Sequence, residues 1–257
     1  MDNNRFHKIG IKQVIRLEWM DRCLSLLLSG MAANEIRKDM IDYLADKKQS
    51  GGTGERGTEA AKMAVNMLSV WHNPADDLRN YRDSLLKQAK RISQGQWITL
   101  HWSIMIANYP FWYNMATQVG RVLNLQDAVT SQQVYGRITE IYGDRETTLR
   151  YARYTMRSFV AWGLLEDSEI KGRYMKRDPV AVSDPQIIAM LFEAMLISTP
   201  EHKAPLRSLM ASPALFPLCL ALDVAQQAIA QNPRLVSDHL GDGEVMVTWD
   251  RVTKNML

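Results

Sequence analysis

The sequence predicts a mainly helical protein with a few short β-hairpins. Most of the 257 residues lie in runs whose apolar positions recur every three or four residues, which is typical of amphipathic helices. Two regions, residues 164–182 and 234–249, instead contain short segments around polar turns, which indicates hairpins. An apolar fraction of 46% is ordinary for a folded globular protein.

We divide the chain into three segments on the basis of composition and helix-start signals. Residues 1–95 form an N-terminal helical domain, which ends in a short polar break. Residues 96–182 contain an aromatic-rich helix and the most distinctive motif of the chain. Residues 183–257 form a C-terminal helical domain that ends in a β-hairpin, and the dipeptide Asp184-Pro185 marks its first helix.

Charge and cysteine content limit the class of protein. The net charge is only +3, from 31 basic and 28 acidic residues, so any contact with a polyanion must depend on where the charges lie. Cys23 and Cys219 match no metal-ligand spacing and are expected to be thiols in a reducing compartment. Without an apolar signal core or a run of roughly 18–20 apolar residues, the chain is predicted to be cytoplasmic, without membrane contact.

A glycine-rich loop interrupts the helices of the N-terminal segment. The predicted helices cover residues 12–29, 34–47 and 58–71. Four glycines lie between Gly51 and Gly57, before the third helix. A nucleotide-binding loop needs a preceding strand and a Gly-Lys-Ser/Thr ending, whereas this loop follows a helix and ends in Gly57-Thr58-Glu59. We therefore favour a mobile loop over a nucleotide site.

An aromatic segment follows a charged helix that is predicted from Asp76 or Asp77 to Ile92. The aromatic residues within it are Trp97, Trp102, Tyr109, Phe111, Trp112 and Tyr113. Pro110 must kink the helix or restart it. Such residues could stack on the bases of a single strand, but no lysine or arginine lies between Arg91 and Arg121. A hydrophobic core or domain interface is the favoured interpretation.

The most distinctive motif begins at Thr130. Thr130 and Gln133 have the spacing of a capping box. Three apolar residues, Val134, Ile138 and Ile141, then form one stripe on a short helix. The helix is predicted to end at Gly143, because glycine readily adopts the left-handed conformation. Asp144 is predicted to cap the next helix immediately, which makes the turn only a few residues long.

The second helix of the motif, residues 145–162, is predicted to have two distinct faces. Its apolar face contains Leu149, Ala152, Met156, Phe159 and Val160, and its opposite face carries arginines, tyrosines and threonines. Gly163 ends the helix, and a strand opens at Leu164 and Leu165. A polar turn over residues 167–172 leads to a returning strand, residues 173–182. Four of the seven residues from Lys171 to Arg177 are basic.

This order of elements resembles the winged helix-turn-helix superfamily of DNA-binding domains, over residues 115–182. The resemblance implies that the helix of residues 145–162 enters the major groove and that the following turn lies against the backbone or minor groove. Arg150 is placed to reach guanine O6 and N7, whereas Glu146 would repel a phosphate or accept from a cytosine amine. The predicted DNA-binding residues are Arg145, Thr147, Thr148, Arg150, Tyr151, Arg153, Tyr154, Arg157, Lys171, Arg173 and Lys176.

Two flanking regions repeat parts of this order. The C-terminal segment contains predicted helices at 185–198, 205–210 and 214–231, then strands at 234–236 and 244–249 around an Asp242-Gly243 turn. This is compatible with a degenerate second winged domain, whose long helix carries no lysine or arginine and so suits protein contact. The three N-terminal helices have the order of a wingless helix-turn-helix with few basic groups, and a structural or protein-contacting role is favoured.

No catalytic residue, metal site or cofactor is predicted. The five histidines are scattered, and the sequence contains neither His-Glu-x-x-His nor Gly-x-Ser-x-Gly. We therefore expect a non-enzymatic double-stranded DNA-binding protein that contacts protein partners or further copies of itself through its flanking helical domains. By analogy it would be a regulator or an accessory subunit of a larger bacterial assembly, such as a phage-defence complex. The alternative is a protein–protein interaction scaffold whose winged domains bind partners and not DNA.

Overall fold

The computed structural model describes residues 3–45, 47 and 57–250, and these residues are mainly helical, as predicted. The helices are α1 Leu17–Leu28, α2 Ala33–Ala45, α3 Thr58–His72, α4 Arg79–Ala89, α5 Trp97–Asn108, α6 Pro110–Leu123, α7 Ser131–Tyr142, α8 Glu146–Ala161, α9 Pro185–Ile197, α10 Leu206–Met210 and α11 Ala225–Gln231. The strands are β1 Ala128–Thr130, β2 Leu165–Asp167, β3 Arg173–Lys176, β4 Val180–Val182, β5 Lys203–Pro205, β6 Leu218–Leu220, β7 Leu235–His239 and β8 Val245–Trp249. Among these residues, no helix is both long and apolar enough to cross a membrane.

The N-terminal segment departs from the prediction at its first helix. Helix α1 begins at Leu17 and not at Lys12, and Ile11 and Ile15 are fully buried ahead of it. Ile15 N–H donates to Ser158 Oγ at 2.9 Å, and Trp162 Nε1 donates to the Ile15 carbonyl at 3.1 Å. Because the backbone groups of Ile15 are used in these tertiary bonds, they are lost to a local helix. The glycines at 51, 52 and 54 lie outside the described residues.

The aromatic segment forms the centre of the core. Pro110 begins helix α6, so of the two predicted alternatives, a kink or a restart, the helix restarts. The aromatic rings in contact have centroids 4.9–6.2 Å apart, and they belong to Trp102, Trp112, Phe159, Trp162 and Phe216. Trp102 and Trp112 have no exposed surface. These rings are therefore closed to base stacking, and the core interpretation is confirmed.

The central part of the chain runs α6, β1, α7, α8, β2, β3. Its three strands form an antiparallel sheet in the order β1-β3-β2. Strand β1 was not expected from the sequence, because a three-residue strand has no measurable period. The returning strand was predicted to continue to Val182, and this was wrong. Strand β3 ends at Lys176, and Val180–Val182 pairs in parallel with Leu218–Leu220.

The C-terminal part has a related order of elements, namely α9, β5, α10, β6, α11, β7, β8, in which strand β6 is inserted between the second and third helices. Its antiparallel sheet has the order β5-β8-β7, which corresponds strand for strand to β1-β3-β2. The long helix predicted over residues 214–231 was wrong, since α11 covers only Ala225–Gln231. Pro217 interrupts the pattern because it lacks an N–H and restricts the residue before it. The segment after Pro217 instead forms strand β6.

Candidate nucleic-acid interface

A tight turn joins α7 to α8. The capping box is confirmed, since Thr130 Oγ1 accepts from Gln133 N–H and Gln133 Oε1 accepts from Thr130 N–H. Gly143 ends α7 with a φ of +86°, a conformation that favours glycine. The N-cap of α8 is Arg145, without a side-chain cap bond, so the prediction that Asp144 caps this helix was wrong.

The buried face of α8 is rotated relative to the prediction. Leu149 and Val160, expected in the core, are only half-buried, whereas Thr155 and Ser158 are fully buried. The cause is the N-terminal segment, because Ile15 covers the flank of α8 that contains Ser158. On the neighbouring helix α7, the expected apolar residue Ile141 is 44% exposed.

Thr148 lies in the interior, contrary to its predicted place in the interface. The residue has no exposed surface, and its Oγ1 has no hydrogen-bond partner among the described residues. Its position on the helix places it on the same side as Ala152 and Thr155, which are also fully buried. In this conformation the hydroxyl is closed to any ligand.

The exposed face of α8 is polar and mainly basic. Arg145, Thr147, Arg150 and Arg153 are exposed, together with Glu146. No ion pair joins these arginines to a carboxylate within the described part of the chain. The face therefore offers three unpaired guanidinium groups, with one carboxylate at the start of the helix.

Two half-buried tyrosines border this face. The rings of Tyr151 and Tyr154 lie 6.2 Å apart between centroids, and the guanidinium of Arg150 lies 5.8 Å from the ring centre of Tyr151. Tyr135 of α7 was missed by the sequence reasoning, yet its phenol lies close enough to Arg153 to interact with it. Burial raises the pKa of Tyr135 to about 12, so the phenol stays neutral at pH 7. No local pattern connects Tyr135 with Arg153, because the contact depends on how α7 packs on α8.

An ion pair joins α8 to the β2–β3 hairpin. Arg157 Nη1 lies 2.5 Å from Asp167 Oδ1, and Arg157 also interacts with Tyr174. The hydrogen bond that Arg157 donates to Asp167 raises the pKa of Arg157. A second pair joins Arg177 to Glu166 at 2.8 Å. Arg157, which was predicted to bind DNA, is therefore engaged within the protein.

The hairpin supplies the remaining predicted cations. Lys171, Arg173 and Lys176 are exposed, and in the described regions none of them forms an ion pair. A cavity of about 670 Å³ lies between the turn of the hairpin and the start of α7, and Lys171 and Arg173 line it. Ser131 N–H donates to the Gly172 carbonyl at 2.7 Å, which fixes the turn against α7.

The two parts with the same sheet order differ in charge. Residues 110–182 contain ten basic and eight acidic residues, a formal net charge of +2. Residues 183–250 contain three basic and eight acidic residues, a net charge of −5. Of these two parts, the central one alone has a net positive charge, which would attract a polyanion.

Comparison of the chain with protein-family models, with curated proteins and with solved structures found no match in any of the three. The interpretation of the interface therefore rests on its geometry and charge.

Proposed function

We propose that this chain is a non-enzymatic double-stranded DNA-binding protein, whose central part is a winged helix-turn-helix. Helix α8 is the recognition helix in this proposal, and the β2–β3 hairpin is the wing. The order of two helices, α7 and α8, joined by a tight turn and followed by the β2–β3 hairpin supports it, since a helix-turn-helix places its second helix in the major groove. The rest of the chain would contact the other subunits of a larger assembly, in which the protein acts as a regulator or accessory subunit.

The observation that carries the proposal is the ion pair between Arg157 and Asp167. At 100° per residue, Arg157 lies between Arg150 and Arg153 on the exposed face of α8. Its bond to Asp167 holds the hairpin beside that face. The cations of the helix and of the hairpin that form no ion pair are therefore held next to each other. A protein that contacts both the major groove and the phosphate backbone of a duplex requires this arrangement.

The proposed role of each residue follows from the exposure of its side chain and from its ion-pair partners. Arg150 would read guanine from the major groove, where a bidentate contact to O6 and N7 is geometrically favoured. Lys171, Arg173 and Lys176 would contact phosphates and set the position of the protein on the duplex. Thr148 is excluded from contact, and Arg157 positions the wing.

A salt-dependent binding assay tests the proposal. Anisotropy of a labelled duplex is measured at a series of salt concentrations for the wild type, Arg150→Ala and Lys171→Ala. Each phosphate contact that is lost should reduce the slope of log K against log salt by about 0.9, and Lys171→Ala should show this reduction. Arg150→Ala should weaken binding and reduce discrimination between duplexes of different sequence.

Arg207→Ala is the matched control. Arg207 is an exposed arginine of the C-terminal part, paired with Glu244 at 2.7 Å. Its removal changes the net charge by the same amount and should leave the slope unchanged. Absence of duplex binding at low salt would reject the proposal, and an equal effect of all three variants would reject the assigned interface.

A protein-interaction scaffold is the second candidate function. It is favoured by one observation, namely that the C-terminal part repeats the sheet order of the central part with a net charge of −5. A repeated fold with the opposite charge would repel DNA and suit a protein partner. If the wild type fails to bind duplex DNA at low salt, this candidate takes precedence.

A further inference from the structure

Strand β7 is an open edge of the C-terminal sheet. It pairs only with β8 in the described structure, in the sheet order β5-β8-β7. Four of its five residues are exposed, including Val236 at 43%. Proteins usually protect such edges with lysine, proline, bulges or very short strands, because an open edge can pair with another chain.

The hydrogen-bond ladder shows which backbone groups of β7 are free. Leu240 N–H donates to the Glu244 carbonyl at 2.8 Å, and Asp250 N–H donates to the Arg234 carbonyl at 2.9 Å. In an antiparallel pair, alternate residues bond to the neighbouring strand, so the even-numbered residues of β7 face β8. The N–H and C=O groups of Ser237 and His239 therefore point away from the sheet. At Leu235 the carbonyl is also free, whereas its N–H donates to Asn232 at 3.0 Å.

The corresponding edge of the central sheet is better protected. Strand β2, which occupies the place of β7 there, has only three residues. Two of them, Glu166 and Asp167, are charged and held in ion pairs with Arg177 and Arg157. The two sheets share a topology, yet the edge strand of the C-terminal sheet is longer, with five residues, and presents free backbone groups at residues 235, 237 and 239.

We propose that β7 pairs antiparallel with β7 of a second copy of this chain, about a two-fold axis at Ser237. The free groups occupy residues 235, 237 and 239, which are symmetric about Ser237. In this register, the two Ser237 residues exchange two hydrogen bonds, and each His239 N–H donates to the Leu235 carbonyl of the other copy. The result is four intermolecular hydrogen bonds and one continuous six-stranded sheet.

The neighbouring registers are less favourable. An axis at Asp238 places the two Asp238 carboxylates directly opposite each other, which is destabilising. An axis at Val236 requires the N–H of Leu235, which already donates to Asn232. A strand that pairs with a copy of itself satisfies an isologous two-fold contact, and the symmetric placement of the free groups favours a second copy over an unrelated strand.

A cysteine scan tests the register directly. Residues that face each other across an antiparallel hydrogen-bonded pair have Cα atoms about 5.5 Å apart, within the range for a disulfide. Ser237→Cys, made together with Cys219→Ser to remove the exposed native thiol, should give a disulfide-linked dimer on mild oxidation. Val236→Cys and His239→Cys in the same background should cross-link several-fold less. Preferential cross-linking at position 236 or 239 would overturn the register.

A proline substitution tests the association itself. Ser237→Pro removes an N–H that the hairpin does not use, so the intramolecular ladder is kept, whereas pairing with a second copy is lost. Sedimentation equilibrium should show concentration-dependent dimers for the wild type and Ser237→Ala, and monomers for Ser237→Pro with an unchanged circular dichroism spectrum. A wild type that stays monomeric at the highest concentration, or a Ser237→Pro variant that associates equally well, would overturn the proposal.

Discussion

At the scale of single residues, α8 contains two adjacent threonines with opposite environments. Thr147 is exposed on the proposed DNA-binding face, whereas Thr148 is fully buried with an unpartnered hydroxyl. An unpaired buried hydroxyl is unfavourable because it loses its hydrogen bonds to water. Two neighbouring residues of the same type therefore differ, since Thr147 is available for the proposed binding and Thr148 is part of the interior.

Thr148→Val should stabilise the protein. The substitution keeps the shape and removes the unpaired hydroxyl, so we expect the free energy of unfolding to rise by about 1–2 kcal/mol. Urea denaturation followed by circular dichroism measures this change, and duplex affinity should be unaltered. Thr147→Val is the control, with unchanged stability and weaker duplex binding. A loss of stability in Thr148→Val would show that the hydroxyl has a partner.

At the scale of elements, helix α6 packs unusually closely against the C-terminal part. A Cβ built on Gly120 would lie 1.8 Å from the Pro213 carbonyl oxygen. The contact is to backbone, which cannot swing aside as a flexible side chain would. Gly120 therefore permits the close approach of α6 to residues 213–215. Gly136 of α7, in contrast, is exposed and has no atom within 4 Å of a built Cβ.

Gly120→Ala and Gly136→Ala should have opposite effects. The first forces the two parts of the chain to separate, and we expect a loss of about 3 kcal/mol or more. The second replaces glycine in the middle of an exposed helix, which should gain about 0.5–1 kcal/mol. Thermal and urea denaturation measure both. Similar stabilities for the two variants would contradict the close packing of α6 on Pro213.

At the scale of the whole molecule, a buried histidine joins three helices. Trp71 Nε1 of α3 donates to Nδ1 of His101 on α5 at 3.0 Å, and Nε2 of His101 lies 3.0 Å from Asp21 of α1. Since Nδ1 accepts, Nε2 carries the proton and donates to Asp21. Burial lowers the pKa of His101, although Asp21 partly opposes this effect. Burial likewise lowers the pKa of His72.

These histidines predict that stability falls with acidification. The pKa of each is below 6.5 in the folded state and about 6.5 in the unfolded chain. Below pH 6.5 the unfolded chain therefore binds more protons, and the free energy of unfolding should decrease by up to about 1.4 kcal/mol per pH unit for each histidine. Above pH 6.5 their contribution should be constant.

His101→Gln is the test of this pH dependence. A glutamine amide can accept from Trp71 and donate to Asp21, but it does not titrate. Urea midpoints between pH 7.5 and 5.5 should fall less steeply for His101→Gln than for the wild type. Equal slopes for the two proteins would show that His101 does not contribute.

Local features of the fold were predictable from the sequence where residues close together in the chain are enough to form them. The capping box of Thr130, the helix end at Gly143 and the restart at Pro110 all follow from local backbone chemistry. The C-terminal hairpin was recognised from its alternating residues and from Asp242-Gly243. Strand β1 and the pairing of β4 with β6 were missed, because short strands are stabilised by distant partners and not by a pattern of their own.

The candidate site was predictable in outline only. The sequence by itself determined that basic and hydrogen-bonding residues concentrate on α8 and the hairpin, because residue types and the helical period are local properties. The tertiary structure alone decided which of them remain available. The burial of Thr148, the bond between Ile15 and Ser158, and the bond between Arg157 and Asp167 depend on segments that meet only in the folded chain, since exposure and pairing are properties of packing.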